Sequence, residues 1–143
     1  MAKLIHTMIR IKDLDRSLDF YRSALGLTPS HRLDFDDFSL VYLRNDETEA
    51  EIELTWNKGR AEPYTHGDGY GHFAVVVDDA RAEHERLVGL KLSPKDVKEF
   101  RDGKGDLISR TLFETSNSLK FLIFGSSVTA TTGMRCVSFM IVK

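Results

Sequence analysis

Two histidines and one glutamate carry side chains that could bind a metal ion, and each has a defined place in the sequence pattern. His6 opens one apolar segment, His72 opens another, and Glu53 lies in a third segment that alternates polar and apolar residues. Imidazole nitrogens and carboxylate oxygens together suit divalent first-row metals. The alternative is an ordinary amphipathic strand with a solvated carboxylate and two packed histidines, and the spacing alone leaves both interpretations open.

The two histidines stand in similar surroundings. Asp13 follows His6 by seven positions, and Asp79 follows His72 by seven positions. In both places a strand-like apolar pattern precedes the aspartate, which can cap a following helix. This match indicates an internal repeat, and a duplicated module places equivalent residues symmetrically. The two histidines could therefore converge on one site.

The segment around Glu53 alternates with the period of a strand. Ile52, Leu54 and Trp56 share one face, and Glu53 lies on the other face with its polar neighbours. If that polar face lines a cleft, Glu53 points into it.

The elements that must position these residues follow the same repeat. Strands are predicted at 4–11, 38–43 and 51–56, with a helix that follows Asp13 or Asp15 and ends at Gly26. The second round places strands at 72–77, 97–100, 107–114 and 119–124, with a helix capped by Asp78 or Asp79. We interpret both rounds as βαβββ modules, at about residues 1–60 and 70–124 of a single domain spanning 1–143, with a divergent tail at 125–143.

Composition narrows the class of protein. The chain has 143 residues, 41% of them hydrophobic, and a net charge of −2 with scattered Lys and Arg, which argues against a nucleic-acid partner. No apolar run approaches the roughly 20 residues of a membrane span, and no signal-peptide pattern opens the chain. The lone Cys136 cannot form an internal disulfide, so we expect a cytoplasmic protein without a membrane partner.

Four short motifs resemble the glyoxalase I (lactoylglutathione lyase) family. They are HTMIR at 6–10, DLDRSLDFY at 13–21, EIELTWN at 51–57 and GYGH at 69–72. The resemblance covers about residues 4–114. It implies the α+β vicinal-oxygen-chelate fold, in which paired βαβββ modules form a mostly antiparallel, cupped sheet around a metal ion.

The resemblance also implies roles for individual residues. It assigns His6, Glu53 and His72 as metal ligands, and Arg10 and Asn57 to the glutathione part of the substrate. It implies one divalent metal per site, with nickel or cobalt favoured and zinc possible, and a homodimer whose sites combine residues of both chains. The implied reaction isomerises the hemithioacetal of methylglyoxal and glutathione to S-lactoylglutathione, a detoxification step.

The chain departs from this family in its last strand. There the family carries a glutamate that is both the fourth metal ligand and the principal base, whereas this chain has Leu122, two positions after Lys120. Leucine neither ligates a metal nor carries a proton, so Glu53 is the one matched catalytic carboxylate and we expect impaired activity.

The composition changes at the same point. All 22 acidic residues lie at or before Glu114, and residues 115–143 contain three charged side chains. Two explanations stand side by side. One is divergence, with a tail that adds an edge strand or a partner surface, and the other is a changed reading frame. The nucleotide sequence beyond codon 114 would distinguish them.

Three other functions fit parts of the pattern. One is a metal-dependent binding or thiol-transfer protein of the same fold, since a fold hosts many functions. Another is a non-haem iron dioxygenase, because two histidines and one carboxylate form its ligand set. The matches at Arg10 and Asn57 weigh against that second function. The third is a non-catalytic dimer with vestigial ligands.

Overall fold

The computed structural model of the chain describes residues 1–65, 67, 71–101, 107–114 and 120–125. The first βαβββ round comprises β1 (His6–Ile11), α1 (Leu14–Leu25), β2 (Thr28–Asp34), β3 (Phe38–Arg44) and β4 (Glu51–Asn57). The second comprises β5 (Phe73–Val77), α2 (Ala80–Gly89), β6 (Lys98–Arg101), β7 (Leu107–Glu114) and β8 (Lys120–Gly125). Motif residues 69 and 70, Cys136 and the tail from 126 onward lie outside the described residues.

The strands form two sheets with the same internal order. The first sheet runs β1-β4-β3-β2 and the second runs β5-β8-β7-β6. In each sheet the first and last strands of the module pair in parallel, and the other neighbours pair antiparallel. The predicted repeat of two α+β, mainly antiparallel βαβββ modules is therefore confirmed. His6 is the first residue of β1, and His72 directly precedes β5, as the repeat predicts.

The sequence pattern did not predict strand β2. All seven of its residues are exposed. Apolar alternation reveals a strand only when one of its faces is buried, so a fully exposed edge strand leaves no such signal.

Both helices begin where the sequence predicts, and α1 also ends where it predicts. The Asp13 side chain accepts a hydrogen bond from an amide of the first turn of α1, and Asp79 does the same for α2. Gly26 ends α1 with a φ of 65°, a left-handed conformation that glycine adopts without strain. Neither helix of the described residues has the length and apolar character that crossing a bilayer requires.

An aromatic cluster joins the two modules. Phe20 of α1 lies 6.0 Å from Phe113 and 5.5 Å from Phe121, measured between ring centroids. Tyr21 packs edge-on against Phe121 at 6.0 Å. The buried cluster around these rings contains residues of both sheets. The helix of the first module thus packs against the sheet of the second, and burial of these large rings stabilises the arrangement.

Arg86 of α2 provides a second link between the modules. Its guanidinium donates hydrogen bonds to the carbonyl oxygens of Ser23 and Ala24, at 2.8 and 2.6 Å, at the carboxyl end of α1. Glu83 holds the same guanidinium through both of its carboxylate oxygens. A cation at this end of a helix also interacts favourably with the helix dipole.

Arg86→Ala is therefore expected to lower the free energy of unfolding by about 1–3 kcal/mol, because it leaves helix-end carbonyls without their charged donor. Arg22→Ala is the matched control, since Arg22 forms an ion pair with Asp19 on the surface of α1. That variant should change stability by less than about 0.5 kcal/mol. Urea denaturation measures both, and equal effects would contradict the proposed link.

Candidate metal centre

His6 and Glu53, two of the predicted metal ligands, lie on the same face of the first sheet. We call this face of β1 and β4 the polar face. In the parallel pairing of these strands, His6 is opposite Glu51 and Met8 is opposite Glu53. The other face of β4 contributes Leu54 to the core, as the alternation predicts. Burial of the apolar face fixes the register, and the register directs Glu53 away from the core.

His6 and Glu53 lie close together on the polar face. The distance from His6 Nε2 to Glu53 Oε2 is 3.3 Å, and the side chains are 34% and 10% exposed. Two ligands that each lie about 2.1 Å from one ion are separated by about 3.0–3.4 Å at octahedral to tetrahedral angles. The nitrogen and oxygen of this pair therefore fit as two ligands of one divalent metal.

Two hydroxyl groups orient the Glu53 carboxylate. Thr55 Oγ1 donates to Glu53 Oε1 at 3.0 Å. The Tyr42 hydroxyl also bonds to Glu53, and this bond, followed by burial, raises the pKa of Tyr42 above its ordinary value. Since Thr55 engages Oε1, Oε2 is the oxygen that faces His6.

A neighbouring cluster on β2 extends this site, and sequence analysis did not find it. The His31 ring stacks on Tyr42 with centroids 4.0 Å apart. Ser30 Oγ donates to Glu51 Oε1 at 2.5 Å, and His31 Nδ1 lies 3.9 Å from the same oxygen. The sequence contained one signal for this cluster. Tyr42 alternates with the buried Val41 and Leu43 of β3, so the Tyr42 ring lies on the opposite face of the strand.

His72 stands apart from the pair within a single chain. It is exposed and directly precedes β5 in the second sheet. Within the part of the chain that the structure describes, no group of three or more His, Cys, Asp or Glu side chains is arranged to hold a metal ion. The structure therefore brings two of the three expected ligands together and places the third directly before the first strand of the other sheet.

Arg10 and Asn57 lie toward the carboxyl ends of β1 and β4. Arg10 pairs with Thr55 in the parallel register, and Asn57 is the last residue of β4. The Asn57 amide donates to the Tyr64 hydroxyl at 2.6 Å, and the Arg60 guanidinium lies 4.1 Å from the centroid of the Tyr64 ring. Polar and cationic groups thus follow the His6–Glu53 pair along the direction of the strands.

Leu122 occupies in the second sheet the register position that Glu53 holds in the first. Met8, two residues after His6, pairs with Glu53. Ala74, two residues after His72, pairs with Leu122 in the same parallel arrangement. Leu122 is 2% exposed.

The antiparallel neighbour shows the same correspondence. Tyr42 pairs with Glu53 in the first sheet, and Leu112 pairs with Leu122 in the second. A hydroxyl and a carboxylate in one module thus have two leucines as their counterparts in the other module.

A separate cleft of about 690 Å³ lies between the modules and is lined chiefly by apolar side chains. Its walls include Leu43, Ile52, Val75 and Phe121, with Arg86 among the few charged residues. His6 and Glu53 are not in its lining. The cleft therefore adjoins the candidate site through Glu51 but does not contain the His6–Glu53 pair.

Known proteins match most of the chain. The family model described as the Glyoxalase/Bleomycin resistance protein/Dioxygenase superfamily matches residues 3–120. Lactoylglutathione lyase of Haemophilus influenzae is 43% identical over 90 residues, which cover 59% of this chain and 65% of that protein. The corresponding protein of Neisseria meningitidis serogroup A is 43% identical over 89 residues, covering 59% and 64%. The chain thus spans less than two thirds of the length of these relatives.

Solved structures share the fold. A trypanothione-dependent glyoxalase I from Leishmania major superposes with a TM-score of 0.68 at 27% identity, covering 87% of both chains. A glyoxalase/bleomycin resistance protein/dioxygenase domain from a Frankia species reaches a TM-score of 0.70 at 17% identity, covering 88% of this chain and 98% of its own. The second likeness concerns the fold alone.

Proposed function

Because the chain belongs to the Glyoxalase/Bleomycin resistance protein/Dioxygenase superfamily, we propose that it is a glyoxalase I-type lyase. Its substrate is the hemithioacetal of methylglyoxal and glutathione, and its product is S-lactoylglutathione. The 43% identity to lactoylglutathione lyase over 90 residues carries this proposal. The close pairing of His6 with Glu53 supports it, since this chemistry needs a carboxylate beside a metal-binding group.

The proposed site holds one divalent metal ion through His6, Glu53 and His72, with nickel or cobalt preferred over zinc. The donor types suit such ions, and the distance between His6 and Glu53 fits two ligands of one ion. The metal preference follows from the resemblance to short bacterial members of the family. When bound, the ion supplies Lewis-acid stabilisation of the charge that develops on the substrate oxygens.

The side chains of this chain perform the proton transfer and the binding. Glu53 takes the proton from the carbon that bears the sulfur and hydroxyl, and returns it to the neighbouring carbonyl carbon. Its hydrogen bond from Thr55 keeps Oε2 directed toward His6. Arg10 and Asn57 bind the glutathione part, since guanidinium and amide groups suit its carboxylates. A substrate of this kind and the lone Cys136 agree with a cytoplasmic protein that removes methylglyoxal.

The activity test compares metal-free protein with protein loaded with nickel, cobalt or zinc. We expect slow, metal-dependent formation of S-lactoylglutathione from methylglyoxal and glutathione, because Leu122 supplies no second carboxylate. A protein that binds the ions but forms no product with any of them would contradict the proposed reaction.

The active unit that we propose is a homodimer. Within one chain His72 directly precedes β5 of the second sheet, and among the described residues it forms no metal-binding group with the pair on the first sheet. A second copy can supply the missing ligand, so that His72 of one protomer completes the His6–Glu53 pair of its partner. Isologous pairing of this kind creates two such sites.

Mixing two inactive variants tests the shared site. His6→Ala and His72→Ala should each lose metal binding, yet a dimer with one chain of each keeps one intact site. Random reassortment after mixing should restore about one quarter of the wild-type metal per chain, because half of the dimers are mixed and each has one intact site. Equilibrium dialysis measures the bound metal, and no recovery in verified mixed dimers would place all ligands in one chain.

A metal-dependent binding protein without turnover is the second candidate. Leu112 and Leu122 are the second module's counterparts of Tyr42 and Glu53. The base that the family carries at position 122 is therefore absent, which favours a binding protein. Tight, metal-dependent binding of S-methylglutathione together with no product formation would support this function over the lyase.

A further inference from the structure

Tyr42 contacts both members of the candidate metal pair. In the antiparallel register of β3 and β4 it is the direct partner of Glu53, and its hydroxyl bonds to that carboxylate. Its ring meets the His6 imidazole edge-on, with centroids 5.5 Å apart and planes at 77°. Tyr42 is 9% exposed, so this single side chain borders both candidate ligands from within the sheet.

The position of Tyr42 is itself fixed by β2. The His31 ring lies parallel to the Tyr42 ring, with an interplanar angle of 8° and centroids 4.0 Å apart. Ser30 Oγ lies 3.1 Å from His31 Nδ1 and 3.1 Å from the backbone carbonyl oxygen of Tyr42. An aromatic ring enclosed in this way has few accessible rotamers, and its hydroxyl is held in one place.

We propose that Tyr42 is a positioning residue for the metal-binding pair His6 and Glu53, with the His31 ring holding Tyr42 in place. The inference rests on the proposed metal site. A carboxylate ligand must present one oxygen to the ion in a fixed direction, and hydrogen bonds to the carboxylate set that direction. Loss of such an outer partner typically lowers metal affinity 10–100-fold.

The second module provides an internal comparison. At the positions that correspond to Tyr42 and Glu53 it has Leu112 and Leu122. The hydroxyl donor and the carboxylate acceptor are therefore both present in one module and both replaced in the other. This pairing is consistent with a donor whose role is to serve the carboxylate.

Tyr42→Phe tests the proposal because it removes the hydroxyl and keeps the ring. We expect the Kd for Co²⁺ to rise by about 10–100-fold, with a shifted visible absorption spectrum of the bound Co²⁺ and an almost unchanged Tm of the metal-free protein. Tyr21→Phe is the matched control, since it removes a hydroxyl from a 2% exposed ring on the core side of the molecule. It should leave both the Kd and the spectrum unchanged.

Variants of His31 separate the ring from the imidazole. His31→Phe preserves stacking and should bind Co²⁺ as the wild type does, whereas His31→Ala should weaken binding. If Tyr42→Phe does not fold, the His31 variants still test the proposal. It then requires that His31→Ala binds Co²⁺ more weakly than the wild type and that His31→Phe binds it equally well. Loss of affinity in His31→Phe as large as in His31→Ala would overturn the role given to the ring.

The outcomes also distinguish this inference from the proposed function. A wild-type protein that binds no Co²⁺, Ni²⁺ or Zn²⁺ would refute the metal site itself. A wild-type protein that binds Co²⁺, with equal Kd and equal spectrum in Tyr42→Phe, would leave the metal site standing and refute the positioning role.

Discussion

Leu122→Glu is expected to raise the rate of hemithioacetal isomerisation by about 10²–10⁴-fold, the usual contribution of a positioned general base. Leu122 holds the register position of Glu53 in the second sheet, opposite a residue two positions beyond His72. A carboxylate there would add a proton acceptor and a further metal ligand. The rate of S-lactoylglutathione formation by metal-loaded protein measures the gain.

Stability limits this experiment, because Leu122 is 2% exposed. A buried carboxylate without partners costs at least several kcal/mol, because burying a charge costs more than burying a neutral polar group. Glu53 is also buried, yet Thr55 and Tyr42 bond to it. The double variant Leu112→Tyr/Leu122→Glu supplies the corresponding hydroxyl, so we expect it to have a higher Tm than Leu122→Glu alone.

Leu122→Gln is the matched control for the chemistry. It has nearly the same size and polarity as the glutamate variant but cannot accept the substrate proton at neutral pH. It should remain as slow as the wild type. A folded, metal-loaded Leu122→Glu protein that is no faster than Leu122→Gln would show that position 122 does not face the substrate.

The second large effect concerns metal binding. His72→Ala should abolish binding of Ni²⁺ and Co²⁺ at micromolar concentrations, although among the described residues of one chain His72 forms no metal-binding group with His6 and Glu53. Histidine binds these ions as neutral imidazole, so the wild-type affinity should also fall as the pH is lowered. Isothermal titration with each ion measures the Kd.

His84→Ala is the control, because His84 lies on α2 and outside the polar face. His31→Ala would not serve as a control, because the His31 ring stacks on Tyr42 beside the candidate metal pair. Equal metal affinity in the wild type and in His72→Ala would refute the assignment of His72 as a ligand.

The sequence by itself determined the features that depend on neighbours along the chain. The shared spacing from His6 to Asp13 and from His72 to Asp79 identified two strand–helix units, since a cap acts within its own first turn. Gly26 identified a helix end because its left-handed conformation is a local requirement. Alternation in β4 identified which side of the strand Glu53 occupies, because strand periodicity is local as well.

Tertiary structure alone decided which of these units meet. The contacts of Tyr42 with Glu53, His6 and His31 join β3 to three other strands, whose register comes from burial of the opposite face. The exposed β2 leaves no alternation in the sequence, yet its pairing with β3 brings His31 onto Tyr42. His72 directly precedes β5, one residue before the strand that the sequence predicts it to open, and among the described residues of one chain it forms no metal-binding group with the pair. Register and packing depend on residues far apart in sequence, whose joint burial no local pattern specifies.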